Sequence, residues 1–330
     1  MQDLFSAEDR ERLNAAMATG SGSRYDELLA ADPAPSRGMG IGLAIGLGVV
    51  GAIIGGVLTA VLGLIGLIAL VLLVAGGVVL SRPLARRLHE GGLRSQAEQE
   101  VVGGYAAERG WRMVEAIALG GVTPLLREGD ERATGWGVTG ELDAATPFTA
   151  GHYEYTEVRT VTDTDSKGRT TTREERSTYP FSVVLIPAPD TGFAALSLAQ
   201  GSTGGFMSRV SGALSSMKPV ELESSEFNDA FRLMVDDAAD DVAVRTRFSP
   251  VVQVAFVERG AGATRVELEE GKLVVARSGA PDHDDFGNLV DLLADAIWLR
   301  AVLTQDPPGR LPDLEPLRVL LLGAAAAARA

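Results

Sequence analysis

The densest group of side chains able to bind a metal or move a proton is the run Asp282-His283-Asp284-Asp285. A hydrolytic metal centre needs about three ligands converging on one open position. The same run also precedes the apolar-periodic stretch opening at Phe286, and acidic residues at a helix start are favoured by capping and by the helix dipole. Capping is the reading adopted, and a hydrolase using the cluster near His283 is kept as the alternative. A second candidate is the set Asp163, Asp165, Gly168 and Glu174, which falls at positions 1, 3, 6 and 12 of a calcium loop. It fails on chemistry, because Lys167 stands where an oxygen ligand is required and both flanks read as strands. Ser215 and Lys218 have S-x-x-K spacing without the companion motifs of that hydrolase class. The Gly201 to Gly205 cluster lacks the ending of a phosphate loop. The chain has no cysteine, which excludes thiolate nucleophiles and disulfides, and its histidines are His89, His152 and His283. No residue is therefore assigned a catalytic, cofactor-binding or metal-ligating role, and no cofactor is implied.

Residues 111–305 supply the elements that would position such groups. From Trp111 to Leu198 the apolar pattern has period two: Trp111 to Val114, Trp136 to Leu142, Phe148 to Val161 and Thr170 to Ile186 are β-branched or aromatic runs punctuated by Gly, Pro and Asp. The turn composition of DTDSKG predicts a long antiparallel hairpin, and Pro180 an edge or a bulge. Ser249-Pro250 opens a helix to about Glu258, and ATRVELEEGKLVVARS is a hairpin turning at Glu270-Gly271. In the helix after residue 285, Phe286, Leu289, Val290, Leu293 and Ile297 form a buried stripe, with Asn288, Asp291 and Asp295 opposite. Phe206, Met207, Val210 and Leu214 lie on an amphipathic surface stripe. The whole chain carries a net charge of -14, which argues against nucleic acid as a partner.

Ahead of this domain, Gly38 to Leu80 is apolar or glycine everywhere except Thr59. One helix of that length would be roughly 64 Å long, about twice a hydrocarbon core of ~30 Å, so two spans are expected, at about 39–58 and 61–80. Arg37 before the run and Arg82, Arg86, Arg87 and Arg94 after it place both ends on the cytoplasmic side. Residues 1–37 read as a short helix ending at Gly20 followed by a linker, residues 82–110 as a juxtamembrane helix interrupted at its glycine pairs, and residues 306–330 as a proline-rich linker and a C-terminal helix.

In Pro219 to Gly260, the order Val220 to Leu222, then Glu226-Phe227-Asn228 with Phe231, then Leu233 and Val235, then Asp236-Asp237 and finally Pro250 resembles a family of bacterial membrane-anchored proteins of unknown function. In that family paired transmembrane helices precede a soluble domain carrying an E-F-N-x-x-F motif. The resemblance implies no catalytic residues.

The expectation is thus an α+β domain of antiparallel hairpins and several helices, attached to an N-terminal transmembrane helical hairpin at residues 38–81 in the inner membrane, with both termini cytoplasmic. Its expected partners are the lipid bilayer and an unknown protein, and its expected role is interaction, scaffolding or sensing.

Overall fold

The computed structural model describes residues 7–32, 43, 45–47, 49, 50, 53, 64–142, 146–164, 169–200, 216–259, 264–281, 286–306, 308, 309, 311 and 321. They divide into two compact units, one of residues 16–102 and one of residues 1–15 with 103–330.

Residues 16–102 carry most of helix α1 (Ala7–Ala31) and of helix α2 (Leu64–Glu108). The helices run antiparallel in this unit. Gly20 lies against Val101, Arg24 Nε donates to Glu100 at 2.5 Å, and the His89 ring stands 2.9 Å from the Asp32 carbonyl. Helix α1 does not stop at Gly20 but continues to Ala31, with Val101 lying against Gly20 and the Ser21 hydroxyl bonded to the Met17 carbonyl at 2.7 Å. Helix α2 likewise runs unbroken through Gly91-Gly92 and Gly103-Gly104, with Pro83 inside it.

The membrane expectation is corrected here. Among the described residues no helix is long and apolar enough to cross a membrane. The transmembrane hairpin of the expected fold class and the two-span inner-membrane location are therefore not upheld. Most of the expected first span and the reversal lie outside the described residues. Where the second span should end, at Leu80, the helix continues as the 45-residue α2, so the run from Leu64 is the start of a longer, increasingly polar helix. Helix α1 reaches 25 residues but carries charged residues along its whole length, from Glu8 to Glu27. Apolar composition predicts partition from water. It does not fix where a helix ends, and the ends decide what can span.

The larger unit is an α+β fold around one sheet of nine strands in the order β1-β2-β3-β4-β9-β8-β5-β7-β6, all neighbours antiparallel. The strands are β1 (Arg112–Val114), β2 (Glu131–Glu141), β3 (Pro147–Thr164), β4 (Thr170–Pro187), β5 (Ala195–Gln200), β6 (Met217–Val220), β7 (Phe231–Asp236), β8 (Thr264–Glu269) and β9 (Lys272–Ser278). Five more helices join them: α3 (Pro124–Arg127), α4 (Ser225–Ala230), α5 (Asp241–Arg247), α6 (Pro250–Arg259) and α7 (Phe286–Thr304). Strands β8 and β9 are joined by Glu270 and Gly271 at φ 50° and 71°, the two positive values of the tight hairpin turn whose twist matches the strands.

Alternation along the strands makes two buried faces. On the first, Leu196, Leu198, Leu233, Val235, Val266, Leu268, Leu273 and Val275 back onto helices. Helix α7 lies against β4 and β9 there, with Phe256 of α6 and Trp298 of α7 at 4.8 Å between ring centroids. On the second face Tyr153, Tyr155, Phe181, Val183, Val274 and Ala276 are covered by Ile117, Leu119, Leu125 and Leu126 of the segment that includes α3. Gly137 and Gly151 face each other across β2 and β3, and a methyl on either would strike Ile117 Cγ2. Ile117 reaches the sheet only because both positions are bare.

Candidate functional site

The Asp282 to Asp285 cluster lies outside the described residues, as do Ser215 and the Phe206, Met207, Val210 and Leu214 stripe. Lys218, the other half of the S-x-x-K spacing, serves the fold: its Nζ donates to the Ala239 carbonyl at 2.9 Å and pairs with Asp241 at 2.8 Å. His152 has Glu154 as an ion-pair neighbour at 3.6 Å. Among the described residues no group of three or more His, Asp or Glu could hold a metal ion. Of the calcium-like set, Asp163 pairs with Thr171 and Glu174 with Thr160 in the β3–β4 ladder. Successive side chains point to opposite faces of a strand, so Asp163 and Glu174 stand on opposite sides of the ribbon and cannot converge on one ion. Within residues 306–330, Leu321 is fully buried, and its carbonyl accepts from the Tyr105 hydroxyl and from Arg109 Nε at 3.2 Å. The last stretch of the chain is thus docked on its own domain at that point.

Two buried ionic clusters went unrecognised in the sequence. In the first, Glu267 of β8 is 1 % exposed, and its Oε2 accepts the Leu125 backbone N–H at 2.8 Å, at the start of α3. Its Oε1 pairs with Arg265, which also donates to Glu128 Oε1 at 3.0 Å. The Tyr153 hydroxyl donates to the Leu125 carbonyl at 3.1 Å. Burial pushes Tyr153 up to about 12, and burial followed by the nearby Glu128 charge raises Tyr155. Alternating Arg265, Glu267 and Glu269 look like the wet face of a strand; nothing local reports that residues 117–128 cover it.

In the second cluster Arg277 of β9 donates to Asp291 and Asp295 of α7, each at 3.1 Å, and Arg10 reaches Asp291 at 3.3 Å. The stripe expected to face solvent instead faces the sheet. Burial, and then the Asp295 charge, raise Asp291 against the opposing pull of Arg277 and Arg10. Each carboxylate in both clusters is held by arginine or a backbone N–H, and these bonds tie the sheet to its covering segments.

The raised carboxyls set a pH dependence. Burial raises Glu128 above the ordinary glutamate range, with Arg265 opposing. As pH climbs through that window, the unfolded chain loses its proton first. The folded state then binds more protons, and stability falls with rising pH. As pH rises above the ordinary glutamate range, the midpoint of thermal unfolding should decline less steeply in Glu128→Gln than in wild type. Equal slopes would show that Glu128 does not carry the effect.

The longest strands of the sheet form the β3–β4 hairpin. Its strands are 18 residues each and pair without a break from Thr149↔Leu185 to Thr164↔Thr170. Strand β2 borders β3 only as far as Thr156, and β9 borders β4 only from Phe181. Pro180 stands where the β9 pairing stops, accepting Gly279 N–H at 2.9 Å. Beyond these limits Glu157 to Ser177 forms an arm with no further strand beside it among the described residues. One face is a ladder of charge, with Arg159 on Glu157 at 3.0 Å and Arg173 on Glu175 at 2.7 Å. The other carries Thr160, Glu174, Thr162 and Thr172, and at its root Arg176 is held by both oxygens of Glu131 at 2.8 and 3.0 Å.

The fold and its exposed element define an antiparallel-sheet α+β module that carries a polar two-stranded arm. No family model, no curated protein and no solved structure matches this chain significantly.

Proposed function

We propose that the sheet domain is a protein-interaction module whose contact element is the β3–β4 arm. The observation that carries this reading is the exposure of Thr171 to Thr178 on both faces of a ribbon that has no further strand at either edge among the described residues, the Val158 N–H being taken by the Asp130 side chain at 2.7 Å. A two-stranded ribbon is marginal in water, and its unpaired edge groups are a template for another chain. Bound partners would supply what the ribbon lacks. The buried ion clusters support the same reading, since their charges are spent on cohesion.

The test removes the arm beyond the Glu157–Ser177 pair, including the Arg176–Glu131 ion pair at its root. Glu157 and Ser177 are directly paired, so an Asn-Gly turn can join them in place of Val158 to Arg176. The shortened chain is expected to stay within about 1 kcal/mol of wild-type stability, because the ion pairs lost are exposed. A photo-crosslinker at Thr160 of the full chain is expected to yield adducts in cells, and the shortened chain is expected to lose the cellular activity of the gene. Full activity of a folded, armless chain would refute the proposal.

A further inference from the structure

We infer that the arm's partner is a second copy of this chain, joined antiparallel along the outer edge of β4 so that the two sheets become continuous. The inference rests on the arm reading and adds the identity of the partner. From Thr171 to Thr178 the outer edge of β4 has no neighbouring strand among the described residues. Two devices that blunt an edge are missing there: no proline lies between Thr171 and Tyr179, and the register with β3 shows no bulge. The third, charge, is present at Arg173 to Arg176, and it restricts the edge to a strand of complementary charge order. Thr170, Thr171 and Thr172 are β-branched residues suited to a further strand.

Charge selects the copy and the register. The arm from Glu157 to Thr178 carries as many basic as acidic residues in a chain of net charge -14, so it is where two copies can approach without net repulsion. Arg173-Glu174-Glu175-Arg176 has the same order of signs in both directions. Two identical strands related by a two-fold axis through the sheet pair residue i with residue j at a constant sum. Centred on Glu174, Arg173 of each copy stands opposite Glu175 of the other, on one face, giving two opposite-charge pairs. On the other face the two Glu174 side chains meet, each with Arg176 of the second copy as its diagonal neighbour. Centring on Glu175 would instead place Arg176, already held by Glu131, as the pairing cation and leave Arg173 opposite serine.

The chain contains no cysteine, so Glu174→Cys introduces a single thiol at the axis. Directly opposed residues of an antiparallel pair lie about 4.5–5.5 Å apart, within disulfide range. Mild oxidation of the full chain should therefore give a covalent dimer for Glu174→Cys and none for Thr172→Cys. Sedimentation of unmodified wild type should give twice the 34.6 kDa chain mass. Arg173→Glu alone and Glu175→Arg alone should each sediment as monomers, since each opposes like charges twice. An equimolar mixture of the two variants should recover the dimer, because both pairs between positions 173 and 175 are then of unlike sign while the Glu174 contact is the same as in wild type. Recovery on mixing cannot come from the contact between Arg173 and Glu175 within one chain. A monomeric wild type, dimeric single variants, or a mixture that stays monomeric would each overturn the inference. If the wild type is monomeric while the Thr160 crosslinker captures a different protein, only the identity of the partner is wrong. If the armless chain also keeps its full activity, the arm reading falls with it.

Discussion

Glu267→Ala is expected to lower the unfolding free energy by about 3–5 kcal/mol, the usual cost of breaking one side of a buried ion pair. The side chain is almost fully buried and does two things at once. It takes the Leu125 N–H that would otherwise be an orphan donor at the start of α3, and it balances Arg265, itself 6 % exposed. Removing it leaves a buried guanidinium with Glu128 as its remaining carboxylate partner, and an N–H without its acceptor. Glu267→Gln keeps an oxygen for Leu125 but loses the charge, so it should fall between alanine and wild type. Replacing Arg265 and Glu267 together by methionine should cost much less than the sum of the two single changes, because apolar side chains remove the need for pairing. Urea unfolding followed by tryptophan fluorescence would measure the series. Hydrogen exchange should locate the loosening in residues 117–128. A loss under about 1 kcal/mol for the alanine variant would show that the cluster does not hold the covering segment to the sheet.

Phe256→Ala is expected to cost a similar about 3–5 kcal/mol, by a different route. This ring on α6 is 2 % exposed and lies 4.8 Å from Trp298, 5.8 Å from Phe227, and 5.9 Å from both Phe231 and Phe248. The last three cannot collapse freely into the space it leaves. Phe231 is anchored in β7, Phe227 in a helix whose N-cap Ser224 accepts the Phe227 N–H, and Phe248 caps α5. The cavity term therefore adds to the lost transfer energy. Val254, on the same helix but 50 % exposed, is the internal control, and its alanine variant should change stability by less than about 0.5 kcal/mol. If both substitutions cost the same, α6 is not packed through its aromatic stripe.

Several elements were legible because their cause is local. The runs beginning at Phe148 and Thr170 alternate with period two, and they pair as one long hairpin. Glu270-Gly271 stands between two apolar runs, and few residue pairs other than one ending in glycine tolerate two successive positive φ values. Ser249-Pro250 marks a helix start because proline has no N–H to lose there, and α6 begins at Pro250. In the E-F-N-x-x-F stretch, Asn228 both donates to the Leu222 carbonyl and accepts its N–H, at 2.9 and 3.0 Å, so the asparagine clamps the loop before α4.

By itself, then, the sequence determined the β3–β4 pairing, the β8–β9 turn, the absence of thiol chemistry, and the polarity of the arm, since each depends on a side chain and its nearest neighbours along the chain. Tertiary structure decided where the helices end and where the charges go. Helix α1 continues through Gly20 to Ser23, with Val101 lying against Gly20, and α2 outlasts the apolar run that suggested a membrane span. Arg265, Glu267, Asp291 and Asp295 occupy positions that periodicity assigns to solvent, and they are buried because distant segments cover them and supply opposite charges. A charged residue in water and one paired in the interior leave the same trace in a sequence. The free energy that separates them comes from partners brought close by the fold.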